Sequence, residues 1–344
     1  MAADLAAVGP EWDPLFAAGP GVQSTRWWFE ALIEAALPDG SRPAFLLCRN
    51  RGVPAAMLPV LLGPGRQARG FATVYTTLFQ PAVVPGLRDA DIVRAGTALG
   101  RLGRRWPTLV LDALDPGWPA LPALLAGLRA GGLHARAFDH FGNWYQPVQG
   151  WAEYLAARPG PLRETIRRRS RACARDASIR IEVIRGGPAL SPGIAAYEDV
   201  YRRSWKLAEA APGFTAALLP RAAAAGVLRL GLLWAGAQPV AAQYWTVADG
   251  TATVLKLAHD DAFRALSPGT VLTAHMIRLL LDEGASTLDF GRGDDGYKAS
   301  WAGLRRQRTG ILLADPRRVG GVAALLHHDL GIVMRKARQF IPSS

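Results

Sequence analysis

Two stretches of this sequence combine residue types at spacings that could do chemistry. In the first, Leu255-Lys-Leu257-Ala-His259-Asp260-Asp-Ala-Phe-Arg-Ala-Leu-Ser267-Pro268-Gly269-Thr270, a strand runs through a polar loop into a helix start. Ser267 suits the N-cap, Pro268 the first helical position, and Gly269 allows close backbone approach. The free N–H groups and dipole at such a start favour an anion such as a pyrophosphate, and an ordinary helix start is the competing reading. In the second, Asp289-Phe-Gly291-Arg292-Gly293-Asp294-Asp295-Gly296-Tyr297-Lys298-Ala-Ser-Trp301, residues 291–296 match G-x-G-x-x-G literally. Asp294 and Asp295 would repel a dinucleotide pyrophosphate, and the match comes late in the chain rather than at a βαβ opening, so a Rossmann site is not expected. The glycines instead let a strand end splay, gathering Asp289, Arg292, Tyr297 and Lys298 around a cleft at the sheet edge.

Other clusters say less. Arg167, Arg171 and Arg175 recur every fourth residue on a predicted helix over 162–176. They offer guanidinium groups to phosphate, with a solvated helix face as the alternative. His327-His328-Asp329 has no second ligand pair, so no metal is expected. Cys48 and Cys173 are far apart and imply no disulfide framework.

These residues need elements to hold them. A chain of 344 residues suggests two domains or one large one. Its formal charge is +12, and only Lys206, Lys256, Lys298 and Lys336 among its 40 basic residues are lysines. That imbalance fits coding bias, so the surplus is weak evidence for a polyanionic partner. It is uneven, with eight arginines in residues 161–185 and five in 304–318. The uncharged run Leu230–Ala248 is broken by Gly236, Gln238 and Pro239 as strand-turn-strand, so no transmembrane segment is expected. The first residues do not resemble a signal peptide, and a cytoplasmic location is the expectation.

Two segments share a plan. Residues 45–62 and 230–247 each read as an apolar run, a turn, a proline (Pro54 or Pro239) and a second apolar run, a β-hairpin in each case. Each precedes a helical pattern, 89–106 or 268–283, and then a short strand ending near an aspartate, Asp112 or Asp289. Two similar α/β (α+β) units in tandem are predicted, each a mixed, mostly antiparallel central sheet flanked by helices. Their junction is expected near 146–165, where 150–155 reads as a short helix and 158–161 as a break.

The order Gln238-Pro-Val-Ala-Ala-Gln243, Ala258-His-Asp260, Ser267-Pro-Gly-Thr270, Leu288-Asp-Phe-Gly-Arg-Gly293 and Tyr297-Lys-Ala-Ser-Trp301 resembles the Fem-like, double-domain branch of the GNAT N-acyltransferases. That branch includes acyltransferases associated with cellulose and exopolysaccharide synthesis. The resemblance implies a degenerate GNAT-like domain over 1–148, an acyltransferase domain over 149–320 and a C-terminal helix or tail over 321–344. It also implies transfer of an acyl group, usually from acetyl-CoA, to an amine, with no metal and no covalent enzyme intermediate.

In that fold the fourth strand splays from the fifth, acyl-pantetheine lies in the gap, and the pyrophosphate meets the next helix. Those places fall at Thr253–Leu257, Leu288–Phe290 and Pro268–Thr270, so Leu255, Leu257, Ser267, Pro268, Gly269 and Thr270 are the candidate donor contacts. Arg264-Ala-Leu-Ser-Pro-Gly269 retains only part of the commoner pyrophosphate loop. Fem ligases of related fold use aminoacyl-tRNA, which makes that donor the alternative. The chemistry needs a base for the amine, for which Asp289, Asp260 and His259 are candidates, each equally able to serve as a structural cap. Tyr297 is the candidate acid for the departing thiolate, or a packed aromatic. Arg292, Lys298, Gln243 and Trp301 are candidate substrate contacts, and Trp245 and Trp301 suit core or cleft walls. The expected acceptor is a small amine, amino sugar or cell-envelope polysaccharide precursor. No specific nucleic acid is expected unless tRNA is the donor. A third reading is a non-catalytic protein that binds an anionic surface, membrane lipid or nucleic acid, through Arg163–Arg185.

Overall fold

The computed structural model describes residues 1–64 and 67–339, and beyond residue 331 its backbone alone. Contacts divide the chain into two units. Residues 1–26, 37–141 and those from 307 onward form unit 1, and residues 27–36 and 142–306 form unit 2.

In chain order, α1 (Asp13–Ala17) and α2 (Arg26–Ala35) precede the hairpin of β1 (Arg42–Asn50) and β2 (Val53–Leu62). Short strands β3 (Ala68–Gly70) and β4 (Ala82–Val83), α3 (Asp89–Gly103), β5 (Thr108–Leu114), α4 (Leu121–Ala130) and β6 (His134–Pro147) follow. Next come α5 (Trp151–Ala156), α6 (Gly160–Arg175), β7 (Ile179–Ile184), α7 (Leu190–Arg202), α8 (Phe214–Ala224) and the hairpin of β8 (Leu228–Ala235) and β9 (Gln238–Ala248). The chain continues through β10 (Thr251–His259), α9 (Pro268–Asp282), β11 (Thr287–Arg292), α10 (Gly296–Trp301), β12 (Leu304–Ala314) and α11 (Val319–Gln339).

Each unit is built on a mixed, mostly antiparallel sheet, ordered β1-β2-β3-β5-β12-β6 in unit 1 and β6-β11-β10-β9-β8-β7 in unit 2. The predicted repeat is present in both. A hairpin leads to a strand, a helix and a return strand that pairs parallel with the strand before the helix, β3 with β5 and β10 with β11. Both hairpin prolines lie beside the turn, Pro54 opposite Arg49 and Pro239 opposite Trp234, next to a register shift in each case. The uncharged run 230–248 is accordingly a strand-turn-strand. Among the described residues no helix is long and apolar enough to cross a membrane.

The units differ where a ligand would bind. β3 has three residues whereas β10 has nine. The first turn of α3 carries Asp89 and Asp91, whereas α9 opens Pro268-Gly269-Thr270 with no acidic residue in its first turn. A carboxylate pair at a helix start occupies the place an anionic ligand would take.

The core of unit 2 gathers Trp245 and Val240 of β9, Phe290 of β11, Leu272 and Ile277 of α9, and Trp301 of α10. Burying side chains of this size supplies the main driving force for folding, about 25 cal/mol per Å² of apolar surface. On α6, Ile166 and Cys173 are buried and Arg171 and Arg175 are exposed.

Candidate functional site

β10 and β11 pair only over Thr251–Thr253 and Thr287–Asp289. Beyond that point β10 keeps its antiparallel ladder with β9 as far as His259, interrupted by a bulge between Val254 and Lys256. β11 keeps its ladder with β6, with a shift of register between Asp289 and Arg292. A bulge bends its strand and increases the local twist, so each strand follows its outer neighbour and a wedge opens between them. Leu255 and Leu257 sit half-buried along the open part of β10.

α9 begins beside this wedge. Ser267 occupies its N-cap with φ of 51°, in the left-handed region, and its side chain caps nothing. The helix is instead closed by the backbone, the Val271 N–H donating to the Ser267 carbonyl at 3.0 Å. Pro268 has no N–H, which leaves the N–H groups of Gly269 and Thr270 as first-turn donors. Gly269 is required for a second reason, since a Cβ there would lie 2.9 Å from His259 Nδ1.

The three candidate bases have distinct surroundings. Asp289 is buried, and its Oδ1 accepts from Asn143 Nδ2 at 2.8 Å and the Gly291 N–H at 2.7 Å, while Arg306 holds Oδ2. Asp260 is also buried. Its Oδ2 pairs with Arg203, and its Oδ1 caps the turn that follows by accepting from the Ala262 N–H at 2.9 Å. Both carboxylates therefore brace the ends of the strands that diverge. His259 is half-buried, its ring tilted against Trp205 with centroids 4.3 Å apart, and its Nε2 lies 3.4 Å from Asp261. Burial lowers its pKa from the ordinary value, outweighing the nearby aspartates, so its imidazole is neutral at pH 7.

Tyr297 lies on α10, its ring partly open to solvent while its hydroxyl is buried against Thr273, 3.0 Å away. Burial pushes the phenol up to about 12, so the hydroxyl keeps its proton at neutral pH. Thr273 in turn accepts from Gln243 Nε2 at 3.4 Å, and Gln243 Oε1 accepts from Trp245 Nε1 at 2.8 Å. This buried chain fixes the Tyr297 hydroxyl from β9 through α9. Gln243, a candidate substrate contact, is a member of that chain. Trp301, another, is fully buried in the core, its carbonyl accepting from the Tyr154 hydroxyl at 2.7 Å, which is a packing role. Lys298 donates to the Arg292 carbonyl and lies 3.5 Å from Asp295, while the Arg292 side chain is exposed.

Gly291 and Gly293 have positive φ, 69° and 119°, so the literal dinucleotide motif is turn chemistry. Asp294 pairs with Arg305, and Asp295 caps α10 by accepting from the Lys298 N–H at 3.1 Å. Among the described residues no group of three His, Cys, Asp or Glu side chains could hold a metal ion. Cys48 and Cys173 are both free and buried.

Sequence reasoning passed over Thr273, Asn143, Arg203 and Arg306, and also the cluster of Tyr201, Trp205, Lys206, Glu209 and Lys256 that reaches His259 through Trp205. The scarcity of lysine was the signal that could have marked the last group.

Comparison with known proteins bears on the fold of the chain. Residues 161–299 match the family described as an acetyltransferase (GNAT) domain. No curated protein matches the sequence. Among solved structures, the chain is similar to FemX at 11% identity, covering 88% of this chain and 96% of that one, with a TM-score of 0.59. It is similar to L-PGS from Bacillus licheniformis at 12% identity, covering 94% and 96%, with a TM-score of 0.53. The C-terminal domain of a putative lysylphosphatidylglycerol synthetase from Agrobacterium fabrum matches at 15% identity, covering 84% and 88%, with a TM-score of 0.50. At these identities the likeness is one of fold. Residues 161–299 thus match the GNAT acetyltransferase domain family, in a chain whose fold is similar to that of FemX.

Proposed function

We propose that unit 2 moves an acyl group, acetyl in the simplest case, from acyl-CoA to the amine of a small molecule, an amino sugar or a cell-envelope polysaccharide precursor. The observation that carries this reading is the end of β10–β11 pairing at Thr253 and Asp289, together with the start of α9, which follows the rest of β10 and a short 3-10 turn and has a first turn free of acidic residues. The residues fit the donor. The unpaired edge of β10 from Val254 onward offers amide groups to a pantetheine arm. The N–H groups of Gly269 and Thr270 face a diphosphate, with no Cβ at 269 to obstruct it.

Each chemical demand then has a residue. His259, neutral at pH 7, takes the proton of the attacking amine directly or through a water. A backbone N–H at the bulge on β10 stabilises the carbonyl oxygen as charge develops. Tyr297, positioned by Thr273, supplies a proton to the departing sulfur. Asp289 and Asp260 hold the two strand ends apart.

The test is isothermal titration with acetyl-CoA, together with thiol release from acetyl-CoA across a panel of amines. Saturable binding and release with at least one amine are expected, and neither occurring overturns the reading. An aminoacyl-tRNA donor is the second reading. It is favoured by Arg171 and Arg175 of α6, exposed and without a carboxylate partner among the described residues. It predicts binding of charged tRNA that falls steeply with salt.

A further inference from the structure

Arginine supplies all but four of the 40 basic residues, yet three of the four lysines, Lys206, Lys256 and Lys298, lie close enough to influence one another's charge. Lys256 projects from β10 and donates to both oxygens of Glu209, at 2.7 and 2.8 Å. Lys298 has Asp295 at 3.5 Å. Lys206, on the loop between α7 and α8, has no carboxylate within ion-pair reach among the described residues. Its ammonium instead lies 5.9 Å from the Tyr201 ring and 5.8 Å from Trp205, distances at which an aromatic face attracts a cation.

Trp205 packs against His259, so the Lys206 platform adjoins the residue assigned to the amine proton. On its other side Lys206 lines a cavity of about 450 Å³ together with Tyr197, Glu198, Tyr201, Arg202 and Glu209. Glu209, already engaged by Lys256, and Asp295 offset only part of what burial, Lys256 and Lys298 impose, so this half-buried ammonium falls short of a full counter-charge. A bound anion would supply it.

We propose that Lys206 binds an acidic oxygen group, carboxylate or phosphate, carried by the acceptor, which occupies this cavity with its amine turned toward the wedge. The proposal rests on the reading of unit 2 as an acyltransferase. Lysine suits the task because its ammonium is a compact charge on a flexible stem, able to follow either type of anion. Burial, and then Lys256, brings Lys206 down to about 8, and an anion in the cavity would restore its hold on the proton.

The experiment compares glucosamine 6-phosphate with glucosamine, and alanine with alaninamide, by calorimetry without donor and by thiol release with acetyl-CoA. At least one anionic member should bind at least about ten-fold more tightly than its neutral partner, and the pair that shows the preference separates phosphate from carboxylate. Lys206→Gln should bring that ratio to near one without changing acetyl-CoA affinity or melting temperature, and Lys206→Arg should keep part of it. Neutral members binding as well as anionic ones, Lys206→Gln weakening both equally, or no member binding overturns the proposal. Lys206-dependent preference without thiol release keeps the anion site and removes the acyl-transfer reading. Thiol release indifferent to Lys206 does the reverse.

Discussion

At Asp289 the carboxylate oxygens accept from Asn143, the Gly291 N–H and Arg306. A buried carboxylate so engaged has three of its roughly four lone-pair sites taken by the protein, and removing its charge leaves Arg306 without its charged partner. Asp289→Asn should therefore lower stability by about 1–3 kcal/mol while turnover of the folded protein changes little. A large loss of kcat at unchanged melting temperature would return Asp289 to the role of base. His259 gives the opposite expectation. Because burial depresses its pKa below the usual value of 6.5, kcat/KM should rise with pH through an acid limb lying below 6.5 and be lost as His259 protonates. His259→Gln should remove that limb, and an unchanged pH profile would exclude His259 as the base.

Asp289, Asp260, His259 and Tyr297 were legible in the sequence as candidates, but their partners were not. Asp289 stood out as an aspartate on a short strand, but Asn143 and Arg306 reach it from 146 positions earlier and 17 later. No local pattern encodes such pairings. The same applies to Asp260 and Arg203, 57 positions apart.

Among the elements, α9 carries the donor argument. Its start was readable because Ser-Pro-Gly-Thr obeys capping rules, although Ser267 turned out to set the backbone and not to donate a cap. The hairpins were readable because paired continuous apolar runs, separated by a polar turn and a proline, have few alternatives. The wedge rested on family resemblance, since the bulge after Val254 leaves no mark in the local sequence. Gly269→Asp would place a carboxylate at the first turn of α9, against both the diphosphate and His259. Acetyl-CoA affinity should fall at least about ten-fold, equivalent to 1.4 kcal/mol, while the fold is retained. Calorimetry showing unchanged affinity would separate the donor from this helix start.

For the whole molecule, duplication does not mean two sites. Unit 1 repeats the hairpin, helix and parallel strand, yet its β3 stops after three residues and its α3 opens on Asp89 and Asp91. It offers neither the long free strand edge nor the unopposed helix start of unit 2. One acetyl-CoA per chain is the expected calorimetric stoichiometry, and two would show that unit 1 also binds. The two-unit plan followed from the repeat. The exchange of segments did not, because residues 27–36 join unit 2 and residues from 307 onward join unit 1 through contacts distant in sequence.

Hydrogen exchange with and without acetyl-CoA addresses the wedge most directly. Binding should slow exchange at the amides of residues 254–259 and 269–271, and leave residues 89–92 and 108–114 unchanged. Slowed exchange confined to other segments, or none at saturating acetyl-CoA, would contradict a donor lying between β10 and β11.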